Sequence, residues 1–254
     1  MTGQLIVGTS GFSYQHWKGC FYPTGTPQSR WLEYYASVFS AIELNVTFYR
    51  QPSAEQFNTW RERVPDGFRF AIKGSRFITH YRRLLETTEQ LERFFTAASG
   101  LGSALDCVLW QLPPGMEADV GRLEEFATQL PRLNAGDERL RHAFEFRDPS
   151  WFAEPVYEVL HRAEAALVLA DPSVLGRAEA SKTPPTADFT YLRFHGTDHD
   201  RGGYGDRDLE PWVARARIDM KAGRDVYAFF NNDQWGMAPR DGLRLCEILG
   251  DSAG

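Results

Sequence analysis

Nine polar side chains fall at the ends of apolar, β-like runs, and their types are those that hold an anion and move a proton. Glu43 stands in AIEL with Asn45 two residues on, and Lys73 closes FRFAIK. Gln111 closes CVLWQ, Glu145 and Arg147 lie in HAFEFR, Arg193 and His195 in YLRFH, and Asn231 follows YAFF. Lys73, Arg147 and Arg193 supply fixed positive charge, and arginine grips phosphate or carboxylate with two parallel hydrogen bonds. Glu43 or Glu145 suits a general base, with His195 as its acid partner. Asn45, Gln111, Asn231 and Asn232 offer amides that orient a ligand without changing charge. His80, in the basic stretch GSRFITHYRRL, adds a candidate phosphate contact. Tyr49 and Trp151, with Phe12, Tyr14, Trp17, Phe21 and Tyr22, either wall a pocket or pack a long loop. The chemistry is hydrolysis or isomerisation of a small anionic or hydroxylated molecule such as a sugar phosphate. It requires no cofactor.

Those residues need a scaffold that brings strand ends together. Apolar runs predict strands at 4–8, 41–46, 68–73, 106–112, 142–146, 166–171, 190–195 and 226–231. The alternation of Ile42, Leu44, Val46 and Phe48 against Glu43, Asn45, Thr47 and Tyr49 extends the second run further. Helical patterns intervene at 30–39, 53–64, 87–99, 119–130, 155–164 and 211–223, with apolar residues three and four apart. Ser53 and Thr87 suit N-caps, and Pro155 and Pro211 suit first-turn positions. Strands alternating with helices indicate a parallel sheet. At 254 residues this reads as one α/β domain, a TIM-type (β/α)8 barrel over 1–254. A doubly wound open sheet is the competitor. Segments entering strands are brief and those leaving them long and polar, which favours the barrel with its site on the C-terminal rim. Residues 172–188, PSVLGRAEASKTPPTAD, predict a short or missing outer helix between the sixth and seventh strands.

Alternation gives the side chains a direction. If Ile42 and Leu44 face the surrounding helices, Glu43 and Asn45 face the barrel axis. The same parity aims Lys73, Gln111, Glu145, Arg147, Arg193, His195 and Asn231 inward. Isolated charges would be costly there; together they satisfy one another, and shifted pKa values are expected. The bland alternative is a polar plug of ion pairs closing the barrel.

Composition narrows the rest. The chain is 43% hydrophobic and 24% charged, with net charge −6, which opposes general attraction to nucleic acid or anionic lipid. No secretory signal or membrane-length apolar run is visible, and Cys20, Cys107 and Cys246 lack metal-type spacing. A reduced cytoplasmic protein is expected. A divalent metal on Glu43, Glu145, Asp171 and His195 is the second reading, disfavoured by the cations on the same rim. Nucleic-acid binding without catalysis, through GSRFITHYRRL and the first loop, is the third. GTSG lacks the lysine of a phosphate-binding P-loop.

The segments GTSGFSYQHWKGCFYP, AIELNVTFYR, FAIKGSRFITH, LWQLPP, FEFRDPSW, YLRFHG and YAFFNND, in that order, resemble the YecE-like family, also called domain of unknown function 72. The likeness runs from the first strand to about residue 240. It implies a TIM-barrel fold and falls on the strand-end positions above, with Trp151 and Asn232 among them. It implies no particular reaction.

Overall fold

The computed structural model describes residues 2–171 and 183–250. Eight strands follow one another in the order of the chain: β1 (Leu5–Thr9), β2 (Ala41–Leu44), β3 (Arg69–Lys73), β4 (Leu105–Gln111), β5 (Arg141–Glu145), β6 (Ala166–Ala170), β7 (Phe189–Phe194) and β8 (Asp225–Phe230). Every pairing is parallel, in the order β1-β8-β7-β6-β5-β4-β3-β2. The sheet curls into a nearly closed TIM-type barrel. The described α-helices are α1 (Trp31–Ala36), α2 (Val46–Tyr49), α3 (Ala54–Arg61), α4 (Thr88–Ala98), α5 (Val120–Thr128), α6 (Glu154–Arg162), α7 (Asp206–Lys221) and α8 (Met237–Leu249). Among the described residues no helix is long and apolar enough to cross a membrane.

The barrel closes at the β1–β2 seam by unusual means. Backbone pairing there is one parallel bridge, Ser10 with Glu43. Below it the buried Tyr35 hydroxyl stands in for a ladder rung, accepting from the Thr9 N–H at 2.8 Å and donating to the Ala41 carbonyl at 3.0 Å. Gly8 permits the approach, since a Cβ there would lie 2.2 Å from the Ala41 carbonyl oxygen.

Two packed layers follow from the period of two. Outward residues such as Ile42, Ile72, Val108 and Phe144 join the helices in the large outer core. Inward residues fill the barrel unevenly: aromatic Phe189, Tyr191, Tyr227 and Phe229 from β7 and β8 share one buried cluster with Ala41, Ala71, Ala143 and Ala166 from β2, β3, β5 and β6. These inward side chains are buried, so the barrel interior is a core and not a pore.

Several expectations change. The alternation from Ile42 to Phe48 does not continue as a strand. β2 stops at Leu44 and α2 begins at Val46, because the Thr47 hydroxyl bonds the carbonyls of Leu44 and Lys73 (2.9 and 2.6 Å) and turns the chain over the end of β3. Ser53 caps α3 as expected, accepting from the Gln56 N–H. Thr87 stands at the α4 cap position but makes no capping bond. Pro155 lies in the first turn of α6, whereas Pro211 falls inside α7. That helix starts earlier, where Asp208 accepts from the Gly205 N–H. Helix α8 was not anticipated; its first residues read as loop. The expected short helix between the sixth and seventh strands falls mainly on 172–182, outside the described residues.

Candidate functional site

Glu43 points across the barrel at Arg193. Arg193, on the inward face of β7 and 1% exposed, donates from Nε to Glu43 Oε2 (3.0 Å) and from Nη2 to Oε1 (2.7 Å), the two-point grip that a planar guanidinium allows. Its Nη1 donates to Glu145 Oε2. Tyr191 Oη and Ser10 Oγ also donate to Glu43, at 2.7 and 2.5 Å. Burial alone would raise the Glu43 carboxyl. The Arg193 charge and the hydrogen bonds from Arg193, Ser10 and Tyr191 override it and hold the group below the usual carboxylate range. Both Glu43 oxygens are occupied.

Glu145 differs. Burial opposes its charge too, yet Arg193, His195 and Arg147 bring it well below the ordinary value. Its Oε2 belongs to Arg193. Its Oε1 touches the Arg147 guanidinium and lies 3.4 Å from His195 Nε2, without a directed hydrogen bond from either.

A chain of amides runs from the Ser10 carbonyl to His195. The Ser10 carbonyl can only accept, so the Asn45 amide turns its nitrogen toward it (3.4 Å) and toward Asn231 Oδ1 (3.2 Å). That leaves Asn231 Nδ2 facing His195 Nδ1 at 3.2 Å. His195 Nδ1 thus faces a donor, while Nε2 lies 3.4 Å from Glu145 Oε1, an acceptor, and 3.4 Å from Arg147 Nη2, a donor.

Lys73 ends β3 on the inward face and is 9% exposed. The turn at α2 lays the Phe48 ring beside it, with Nζ 4.3 Å from the ring centroid. Among the described residues no carboxylate forms an ion pair with it. Burial and the Arg193 charge lower its pKa to about 8, partly opposed by Glu145 and Glu43. His80 packs edge-on against the same Phe48 ring, centroids 4.9 Å apart, with Nδ1 2.9 Å from the Thr79 hydroxyl. Burial, then Lys73, Arg76 and Arg147, depress its pKa to about 4, so it is neutral at pH 7. Phe77–Tyr81 forms a π-helical turn, a conformation frequent beside functional sites. Tyr49 is 76% exposed at the end of α2. Gln111 is half-buried at the end of β4, level with Glu145 in the ladder.

Other candidates do not join this group. Trp151 is fully buried, stacked on outward-facing Phe146 at 4.5 Å and donating to the Met116 carbonyl, so it walls no pocket. Asn232 has the opposite parity to Asn231 and bonds Asp241 and the Gly202 carbonyl (2.8 and 2.9 Å). Trp17 and Tyr22 are buried against α1, with Tyr22 stacked on Trp31, and Phe21 packs on Tyr34, Tyr35 and Phe39. Tyr14 stays near the rim, donating to the Ser10 carbonyl. Asp171 accepts from the N–H groups of His195 and Gly196 and from Tyr204, and so shapes the end of β7. Ser10 and Tyr191 were missed as Glu43 partners. Tyr191 shares parity with Arg193 and was legible; Ser10 was not, because it lies one residue past its strand.

Among the described residues no three His, Cys, Asp or Glu side chains stand together as metal ligands. The Arg193 guanidinium lies between the two glutamates. At the opposite, N-terminal end of the barrel, a cavity of about 580 Å³ is lined by Arg69, Asp106, Arg141 and Asp225 among others. There each inward cation meets a carboxylate: Arg141 reaches Asp106 and Asp225 at 2.9 and 3.0 Å, and Arg69 lies 3.7 Å from Asp106. That end is a paired plug. The C-terminal mouth departs from it by one unpaired lysine.

The family model described as "Protein of unknown function DUF72" matches residues 6–254. The UPF0759 protein YunF of Bacillus subtilis is 27% identical, covering 96% of this chain and 94% of its own length. A DUF72 family protein from Thermotoga maritima superposes with a TM-score of 0.83 at 28% identity, over 98% of this chain and 100% of that one. A second, from Enterococcus faecalis, gives 0.76 at 19% identity over 98% and 99%. With its barrel, its strand-end residues and this match over nearly its full length, the chain belongs to the DUF72 family.

Proposed function

We propose that the C-terminal mouth binds a small anionic, hydroxylated molecule of the sugar-phosphate class and catalyses a proton transfer on it, as an isomerase or hydrolase does. One observation carries the reading: Lys73 is nine-tenths buried near Arg147 and, among the described residues, no carboxylate comes close enough to form an ion pair with it. A buried cation without a counter-ion is unfavourable until an anion arrives. A purely structural plug would have paired it, as the opposite end of the barrel does.

Roles divide by which side-chain atoms are already held by directed hydrogen bonds. Lys73 and Arg147 hold the anion, and Asn45, Gln111 and Asn231 orient hydroxyl groups. Glu145, with one oxygen turned toward Arg147 and His195, is the general base, and His195 is the acid partner beside it. Glu43 is a positioning residue, since both its oxygens are engaged below the mouth. Arg193 fixes the two carboxylates and does not reach for ligand.

Calorimetric titration with inorganic phosphate tests the reading. The protein binds phosphate, and Lys73→Met and Arg147→Met each weaken binding about tenfold or more. Absent binding, or binding unchanged in both variants, overturns it. A parallel titration with a fluorescent single-stranded oligonucleotide at two salt concentrations separates nucleic-acid binding, which would fall steeply with salt.

A further inference from the structure

We infer that Lys73 is an amine nucleophile that forms an imine with an anionic aldehyde or ketone bound in the mouth. This rests on the proposal that the mouth takes a small anion, and names which anion class it converts.

The chain holds 28 Lys and Arg residues, and only four of them are lysine. The inward cations at the N-terminal end and across the mouth are arginines, which stay charged and pair with carboxylates. Lysine is the exception, and it stands where no carboxylate pairs with it among the described residues. Its ammonium lies against the Phe48 ring and near two other cations, the environment that favours a free amine. With a pKa of about 8, the neutral fraction near pH 7.5 is roughly a hundredfold above that of an ordinary lysine. The Thr47 hydroxyl, bonded to the Lys73 carbonyl, fixes the backbone at the strand end. Arg147 supplies the charge that orients the anionic end of the carbonyl compound.

The step balances without any other reagent. The ammonium sheds a proton, and the amine lone pair attacks the carbonyl carbon, forming a C–N bond as the C–O π pair moves to oxygen. One proton passes from nitrogen to that oxygen. The proton first shed returns to the hydroxyl, the C–O bond breaks, and water leaves as the nitrogen lone pair forms the iminium. Lysine ammonium plus carbonyl thus gives iminium plus water. The iminium draws electrons from the neighbouring carbon, where Glu145 removes a proton.

The test is reductive trapping of the intact protein. Wild type is incubated with pyruvate, with dihydroxyacetone phosphate or with acetaldehyde, each with and without borohydride, which converts an iminium to a stable secondary amine. Peptide mass spectrometry then locates the modified lysine, so no variant is needed to read the result. The expected outcome is a borohydride-dependent adduct on Lys73 with at least one anionic probe, formed about tenfold faster than on any other lysine. It should be slowed by inorganic phosphate and absent from Lys73→Arg. Labelling spread evenly over the lysines, or no adduct with any probe, overturns the inference. If phosphate still binds in that case, the anion-site reading survives; if phosphate binding also fails, both fall.

Discussion

Arg193 grips Glu43 at two points across the barrel interior and reaches Glu145 with its remaining nitrogen, so one guanidinium from β7 neutralises carboxylates carried by β2 and β5. Removing it leaves Glu43 buried without its cation and Glu145 with Arg147 alone. Arg193→Met should lower the unfolding free energy by about 3–5 kcal/mol. Urea denaturation checks this, and a loss below about 1 kcal/mol would show the network to be well solvated.

The same pairs set a pH dependence. Glu43 and Glu145 have folded pKa values below the unfolded ones, so their stabilisation is complete above the ordinary carboxylate range. It is lost as pH falls through the lowered values. Wild type should destabilise as pH falls below the ordinary glutamate value of 4.5, and Glu145→Gln should be less stable at pH 7 but flatter in that acid range. Equal slopes in urea titrations of the two proteins would contradict the assignment.

Anion affinity should titrate with Lys73. Its ammonium is charged below about pH 8 and neutral above, so affinity for sulfate, whose own charge is constant here, should fall as pH rises through that value. Calorimetry at successive pH values reads this directly. A flat profile would mean that Lys73 does not contact the anion.

The amide chain predicts a tautomer. Asn231→Asp replaces a donor at His195 Nδ1 with a carboxylate, which only accepts, so the variant should hold a proton on Nδ1 where the wild type presents a lone pair to Asn231. Nitrogen NMR of the ring distinguishes the two forms, and an unchanged spectrum would break the proposed relay from Asn45.

Tyr35 closes the barrel seam with one hydroxyl. Tyr35→Phe strands the Thr9 N–H and the Ala41 carbonyl in a buried site and should cost about 1–3 kcal/mol in thermal or urea unfolding. A neutral substitution would show that the seam pairs by other means.

Much of this architecture was legible in the chain. Each observed strand lies within two residues of its expected span, because period-two alternation survives wherever one face meets helices and the other meets the barrel axis. The parity that aimed Glu43, Lys73, Glu145 and Arg193 inward holds for the same reason. It failed where the chain leaves the sheet. From Asn45 to Tyr49 the apolar alternation persists, but the Thr47 hydroxyl bonds across to β3 and the backbone turns helical. Trp151 and Asn232 were pointed to by the resemblance and not by alternation; Asn232 has the opposite parity to Asn231, and Trp151 turns into the outer core past the end of β5.

Sequence alone determined the eight strands and the set of charged side chains sharing one face of them, since these follow from local periodicity, while loop lengths and the family resemblance favoured closure as a barrel. Tertiary structure alone decided who pairs with whom. Arg193, not Arg147, takes both glutamates, because strands far apart in sequence face each other across the barrel. Lys73 is left over for the same reason: its carboxylates are already held by a guanidinium more than a hundred residues away in sequence. No local pattern encodes that competition.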